Sequence, residues 1–317
     1  MRILKKDSII DIVKDLDLIP KIKDGFIAYS EGRSVVPPVG ELSFDNPPGD
    51  VHIKYGYITN DKYFVIKIAS GFYENEKLGL PNGAGLMLIF DQKTGKNLAI
   101  LADDAYLTDL RTALAGAICA ELLSNPVKCI GVIGTGLQAR MQIQYLKLVT
   151  DCRKVIAWGR NEQKMNKYKK DITSFGFSVE CANTTGDVAK NCNIIITTTA
   201  AKDPLLHTKD ILSGTHITAI GSDTPQKQEL EAGILAKANL VVTDSISQSI
   251  QRGEISHGLR KSIIQKSDIV ELGNVLSGND KGRNTKEDIT VADLTGVAVQ
   301  DIQIATAVYE TSLEYQS

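Results

Sequence analysis

No apolar run in this sequence reaches the ~18–20 residues that a membrane-spanning helix needs, which argues against a helical membrane protein. The first residues, Met1-Arg2-Ile3-Leu4-Lys5-Lys6-Asp7, place charges where a signal peptide needs a continuous apolar core. Cysteine is sparse and scattered: Cys119, Cys129, Cys152, Cys181 and Cys192 are odd in number and form no C-x-x-C pair. That pattern excludes a zinc cluster and a disulfide framework and fits a reducing compartment, so the expectation is a soluble, cytoplasmic protein. Charge of either sign is not in excess either. The formal net charge of −2 gives no bulk electrostatic footprint for nucleic acid or an anionic membrane. No H-x-x-x-H, carboxylate pair or Cys/His cluster suggests a metal, and His207, His216 and His257 read as structural. A G-x-S-x-G elbow is absent, which removes support for hydrolase chemistry. There is no internal repeat and no low-complexity segment.

What is there is an ordinary globular composition, 43% apolar and 23% charged, in 317 residues. Cores usually stop growing beyond ~250–300 residues, so two domains are expected. Asp7 is placed to cap a first helix through Ile9, Ile10, Ile12 and Val13. The Pro/Gly-rich stretch from Pro37-Pro38 to Pro47-Pro48-Gly49 reads as loop or edge connection. Strand-like runs follow at 51–58, 63–69, 87–90 and 98–101, with Asp91-Gln92-Lys93-Thr94-Gly95 as a hairpin turn. Strands without intervening helices predict a mainly antiparallel sheet. Thr108-Asp109-Leu110-Arg111-Thr112 then opens a helix of small residues that stops near Asn125-Pro126. Beyond it, strands at 129–133, 154–158, 178–181, 193–198, 215–220 and 240–243 alternate with helical patterns, which predicts a doubly wound parallel sheet. The last ~25 residues after Asp293 read as a helix with Ala305, Ala307 and Val308 on its apolar face.

The strongest motif is Gly131-Val132-Ile133-Gly134-Thr135-Gly136-Leu137-Gln138-Ala139, a G-x-G-x-x-A between an apolar strand and an amphipathic helix. Gly134 permits the tight turn, Gly136 lets backbone approach a pyrophosphate, and Ala139 allows close helix–strand contact, while the helix N-terminus supplies amides. The second strand ends Trp158-Gly159-Arg160-Asn161 without the acidic residue that usually binds the ribose 2′-hydroxyl. Arg160 either grips a 2′-phosphate or is a solvated surface arginine. The missing acid favours NADP(H), with NAD(H) the alternative. Thr198, at the end of the fourth strand, either lines the nicotinamide ribose or caps the next turn.

Several separated segments together resemble the ornithine cyclodeaminase/mu-crystallin family. They are Val65-Ile66-Lys67, Leu107-Thr108-Asp109-Leu110-Arg111-Thr112-Ala113, the glycine loop, Ala219-Ile220-Gly221-Ser222-Asp223-Thr224-Pro225, Lys227-Gln228-Glu229-Leu230 and Thr295-Gly296-Val297-Ala298. The resemblance implies an α/β protein in which a Rossmann domain, residues 121–294, is inserted in a second α/β domain. Residues 1–120 plus 295–317 would form that second, substrate-binding domain, which also makes a homodimer interface in the family. Its enzymes handle a carbon bearing both nitrogen and carboxylate. They include cyclodeaminases, ketimine and pyrroline-2-carboxylate reductases and alanine dehydrogenases, beside a thyroid-hormone-binding crystallin. The stretch Gly49-Asp50-Val51-His52-Ile53-Lys54 is similar to one in imino-acid reductases.

The resemblance assigns roles to particular residues. Arg111, whose planar fork suits a bidentate carboxylate clamp, matches the family arginine of the L-R-T segment. A surface pairing with Asp109 or Asp104 is the plainer alternative. Lys67 matches a lysine at the substrate carboxylate or imine, although a lysine inside a strand usually turns to solvent. Asp223 would stabilise the iminium or move a proton to nitrogen, a task typically worth ~10²–10⁴-fold. Its plainer role is a turn aspartate capping the next helix. Thr112 and Gly296 fall in segments expected beside the cofactor. Alternation puts His52 and Lys54 on one face, either pocket or solvent. Where many members carry an arginine after the Pro-Pro pair, this chain reads Pro37-Pro38-Val39, which weakens any transfer of a particular substrate. The expected activity is an NAD(P)H-dependent reductase of a small imino acid. A redox-neutral cyclodeaminase, an amino acid dehydrogenase and a non-catalytic ligand binder are the rivals.

Overall fold

A computed structural model describes residues 1–72 and 74–314. Residues 315–317 of the expected outer domain therefore lie outside the described residues. The chain begins β1 (Arg2–Lys5), α1 (Lys6–Lys14), α2 (Ile19–Ser30), β2 (Ser34–Val35) and β3 (Gly40–Asp45). It continues with β4 (Pro48–Ile58), β5 (Tyr63–Phe72), β6 (Gly83–Asp91), β7 (Asn97–Ala102) and α3 (Tyr106–Leu123). Then come β8 (Ile130–Ile133), α4 (Leu137–Leu146), β9 (Lys154–Trp158), α5 (Glu162–Ser174), β10 (Ser178–Cys181), α6 (Thr185–Asn191) and β11 (Ile194–Thr197). The last third holds β12 (His216–Ala219), α7 (Gly233–Lys237), β13 (Leu240–Thr243), α8 (Ile246–Ser249) and α9 (Gly253–Arg260). It closes with β14 (Ile269–Glu271), α10 (Leu272–Ser277), β15 (Thr290–Asp293) and α11 (Ala298–Glu314). Two compact units result: unit 1 is Met1–Arg111 with the segment from Val297, and unit 2 is Thr112–Gly296. The first boundary falls after Arg111, in the first half of α3, rather than at residue 120.

Unit 1 is a mixed sheet ordered β1-β7-β6-β5-β4-β2, with β3 paired to β4. Only the β1–β7 pair is parallel. Alternation sorts its residues onto two faces. Lys54 and Ile58 of β4, Val65 and Lys67 of β5, Met87 and Ile89 of β6, and Leu101 of β7 are buried on the face that meets α11. The opposite face carries Ile53, Phe64, Ile66, Ile68, Leu88 and Phe90, all part-exposed, with the Phe64 and Phe90 rings stacked at 4.7 Å. The hairpin turn holds as expected, since Asp91 Oδ1 accepts from the Lys93 and Thr94 amides.

Three expectations for unit 1 change. The first helix is not capped by Asp7: its N-cap is Lys5, and Asp7 stands in the first turn, where a carboxylate favours the helix dipole. The Pro/Gly-rich stretch is not all loop, because β3 and the start of β4 form a ladder from Gly40↔Ile53 to Asp45↔Pro48. The α3 helix starts at Tyr106, before Thr108, because Asp103 Oδ2 accepts from the Leu107 amide at 2.8 Å.

Unit 2 is an all-parallel sheet ordered β10-β9-β8-β11-β12-β15-β13-β14. The order reverses between β8 and β11, which is the switch point where doubly wound sheets bind ligands. β8, β11, β12 and β15 are buried at every position, as strands covered on both faces must be.

Candidate active site

The nucleotide side is built in unit 2. β8 is followed directly by Gly134, whose φ of +121° and whose crowding make it a glycine position. A Cβ there would lie 2.5 Å from Thr198 Oγ1. Gly136 is the N-cap of α4, and nothing lies within 4 Å of where its Cβ would be, so the backbone there is open to a ligand. Ala139 is fully buried. A tight turn, an open glycine and a helix N-terminus at the switch point fit a dinucleotide pyrophosphate. Leu137 is exposed and Gln138 Oε1 accepts from Gln142 Nε2 at 3.3 Å. The same Gln142 amide donates to the Thr112 carbonyl at 3.0 Å, so Thr112 contributes backbone to this corner.

A brace missed from the sequence is Arg140. Its Nη1 donates to the carbonyls of Thr135 (2.5 Å) and Gly136 (3.0 Å), and its Nε donates to Asp171 at 2.8 Å. With those carbonyls turned toward α4, the loop is fastened to α5 by one guanidinium. A basic residue directly after the G-x-G-x-x-A was the available signal.

Thr198 donates from both its amide (2.9 Å) and its hydroxyl (3.2 Å) to the Ile133 carbonyl, tying the β11 end to the glycine loop. Arg160 is exposed at the end of β9, next to Asn161, which caps α5 by accepting from the Lys164 amide. Gly296 has φ +81° and donates its amide to Asp244 Oδ2 at 2.6 Å, while Thr295 occupies Oδ1. Asp223 follows β12 with its side chain 43% exposed, and its Oδ1 accepts from Lys227 Nζ at 2.6 Å. The next helix, α7, starts only at Gly233, so Asp223 is not its cap.

The anion side is built in unit 1. Lys67 is fully buried, and its Nζ donates to Asp301 Oδ1 at 3.0 Å. Arg111 Nε donates to the same oxygen at 3.0 Å. Asp301 Oδ2 is buried and has no hydrogen-bond partner among the described residues. Lys54 sits directly opposite Lys67 in the β4–β5 ladder and is also buried. Three cations thus converge on one aspartate. Burial and then the Arg111 charge push the Lys67 ammonium down to about 7, against the pull of Asp301. Burial works to raise Asp301, but the charges of Lys67 and Arg111 win and hold it below its ordinary value. Near Lys67, Asp103 is pushed up to about 6 by burial. His52 lies on the same face of β4, its Nε2 3.6 Å from Glu41 Oε1.

The structure therefore gathers Lys54, Lys67 and Arg111 in unit 1, and gathers the glycine loop, Thr198 and Asp223 along the carboxyl edge of the unit 2 sheet. Arg111 pairs with Asp301 instead of the surface aspartates expected as its alternative. Asp301 was missed because nothing local marks it. His216 is fully buried, bonded to Thr290 and Thr218, and held neutral by burial, which fits a structural residue.

A sequence model of the Ornithine cyclodeaminase/mu-crystallin family matches residues 3–316. An uncharacterized cyclodeaminase of Sinorhizobium fredii is 36% identical over 319 residues, 99% of this chain and 96% of that protein. Among solved structures, Thermococcus litoralis Δ1-pyrroline-2-carboxylate reductase in complex with NADH and L-proline superposes with TM-score 0.93 at 25% identity, over 100% of this chain and 98% of the other. An archaeal alanine dehydrogenase dimer with bound NAD gives TM-score 0.91 at 31% identity, over 100% and 97%.

Proposed function

The chain belongs to the ornithine cyclodeaminase/mu-crystallin family, and on that premise we propose that it is an NAD(P)H-dependent reductase of a small imino acid, such as Δ1-pyrroline-2-carboxylate, forming the L-amino acid. The observation that carries the reading is the buried Lys54–Lys67–Arg111 cluster around Asp301, in a chain whose other unit presents a dinucleotide loop. Arg111 and Lys67, buried side by side and sharing a single oxygen of Asp301, are suited to a substrate carboxylate. Arg111 meets Asp301 through Nε, which leaves the forked end of the guanidinium for the two oxygens of a carboxylate. Lys67 adds a second contact to the carboxylate or the imine region, and Lys54 and His52 line the same sheet face.

The residues that would hold the cofactor are Gly134, Thr135, Gly136, Leu137, Gln138 and Ala139 at the pyrophosphate, Thr112, Thr198 and Gly296 nearby, and Arg160 at the adenosine ribose. Reduced nicotinamide, when bound, supplies the hydride that adds to the C=N carbon, its own ring being oxidised as it does so. Asp223 faces the other half of the task, holding the iminium charge and keeping a proton on the nitrogen. Arg160, exposed where an acidic residue would select NAD(H), supports acceptance of a 2′-phosphate and hence NADP(H). The apolar outer face of the unit 1 sheet supports a homodimer. Five unpaired cysteines suit a reducing cytoplasm.

The test is absorbance decay of NADPH and NADH with a panel of imines, Δ1-pyrroline-2-carboxylate and pyruvate with amines among them. One cofactor oxidised per imine reduced is expected, with NADPH preferred. Asp223→Asn should keep cofactor binding and lose ~10²–10⁴-fold in turnover. The relation to the Sinorhizobium protein favours one rival, a redox-neutral cyclodeaminase. Ammonia release from ornithine with no net change in NAD⁺, and no imine reduced, would replace the reductase by that reading.

A further inference from the structure

Among the buried carboxylates of unit 2, Glu229, Glu254 and Asp293 have no part in this scheme. Burying charges together is expensive unless each is fully hydrogen-bonded. Glu229 accepts from the Thr197 hydroxyl at 2.7 Å and the Gly221 amide at 2.9 Å on Oε2, and from the Thr199 amide at 2.5 Å on Oε1. Both oxygens are therefore met by donors, and the donors come from the ends of two different strands, β11 and β12. Gly221 shows how tight the junction is. A Cβ there would collide with the Thr199 backbone and lie 2.6 Å from Glu229 Oε2. Glu229 is itself held from behind, since the two oxygens of Glu254 accept from the amides of Glu229 (2.7 Å) and Leu230 (3.0 Å). Asp293, at the end of β15, in turn accepts from the Ile255 amide at 2.8 Å.

We infer that Glu229 is a positioning residue for the proposed reaction. Its carboxylate ties the ends of β11 and β12 into one edge, and so places Thr198 against the glycine loop and Asp223 for its proton. Thr198 is one residue from Thr197 and Thr199, and Asp223 is two residues beyond Gly221. A shift at either strand end is transmitted to both side chains. The inference rests on the reductase reading for its catalytic arm and on the nucleotide loop alone for its binding arm.

Glu229→Gln keeps the volume but presents an NH₂ where one oxygen now accepts. In the full-length protein, the NADH dissociation constant, from fluorescence titration without substrate, should rise ~10-fold. The kcat should fall ~100-fold, as misplacement by about an ångström does, while KM for the imino acid stays within about twofold because the unit 1 clamp is untouched. A merely structural role lowers the melting temperature and leaves that split unmade. NADH affinity and kcat per folded molecule both within about twofold of wild type overturn the proposal. If the variant does not fold, Thr197→Val removes a single donor and decides the matter: a several-fold loss in NADH affinity or kcat is expected, and no change overturns it. If the wild type binds NADH and reduces no imine, the reductase reading fails, and the NADH titration still judges Glu229.

Discussion

Lys67 shows what the interior asks of a single residue. An ammonium sealed from water beside a guanidinium is stable only while something negative shares the space, and Asp301 gives one oxygen to both cations. With its proton held only to about 7, Lys67 is charged below neutrality and neutral above it. A bound carboxylate stabilises the charged form, so ligand and proton bind together. The affinity for a carboxylate that does not titrate in this range, such as cyclopentanecarboxylate, should be level below about pH 7 and weaken as pH rises above it. Titrations between pH 6 and 9 would show this, and a pH-independent affinity would remove Lys67 from the clamp. Lys67→Met should weaken the same ligand by ~10–100-fold, the worth of one charged hydrogen bond. The sequence shows Lys67 and Arg111 but hides Asp301, because 234 and 190 residues separate it from its partners. No periodicity reports an ion pair of that range. The glycine loop, by contrast, was legible because its constraint is local: a turn with φ +121° and an open N-cap lie within three residues.

Elements were legible where their pattern is uninterrupted. β9, β10 and β13 fall where alternating apolar runs put them. β3 did not, because prolines flank it and its apolar residues Leu42 and Phe44 are exposed, so they follow no core face. β1 escaped because a four-residue edge strand pairs in parallel with β7, far along the chain. The entry into α3 was misplaced for a different reason. Asp104 (φ 52°) and Ala105 (φ 65°) both adopt left-handed backbone before the helix begins, and Asp103 secures the first turn. Such a conformation costs ~1–2 kcal/mol at a non-glycine residue. The turn aims α3, and with it Arg111. Ala105→Gly should relieve the strain, offset by the flexibility glycine adds, and raise the melting temperature by ~1–3 °C. Thermal unfolding of the variant checks this, and a lower melting temperature would refute the strain.

At the scale of the whole molecule, the outer face of the unit 1 sheet stands out. Ile53, Ile66, Ile68 and Leu88 leave apolar surface part-exposed beside the stacked Phe64 and Phe90. Soluble proteins rarely leave a contiguous patch of this kind uncovered. A second copy of the chain would cover it. Ile66→Lys, which puts a charge at the centre of that face, should convert the protein to monomer in sedimentation equilibrium while unit 2 still binds NADH. A wild-type monomer would leave the patch without this explanation. The fold class was legible at this scale from the strand–helix alternation, and the insertion from the family resemblance. Where one unit stops and the next starts was not, since the division runs through a continuous helix.

Unit 2 is one unbroken stretch, whereas unit 1 is assembled from both flanks of it. On the ribosome, Arg111 is made 190 residues before Asp301. At ~5–20 residues per second, roughly 10–40 s pass before its counter-ion exists. During that interval the nascent sheet carries Lys54 and Lys67 on a face that α11 has yet to cover, and unit 2 waits for β15, which its sheet holds between β12 and β13. The anion clamp is completed only once α11 has been made and laid on the unit 1 sheet.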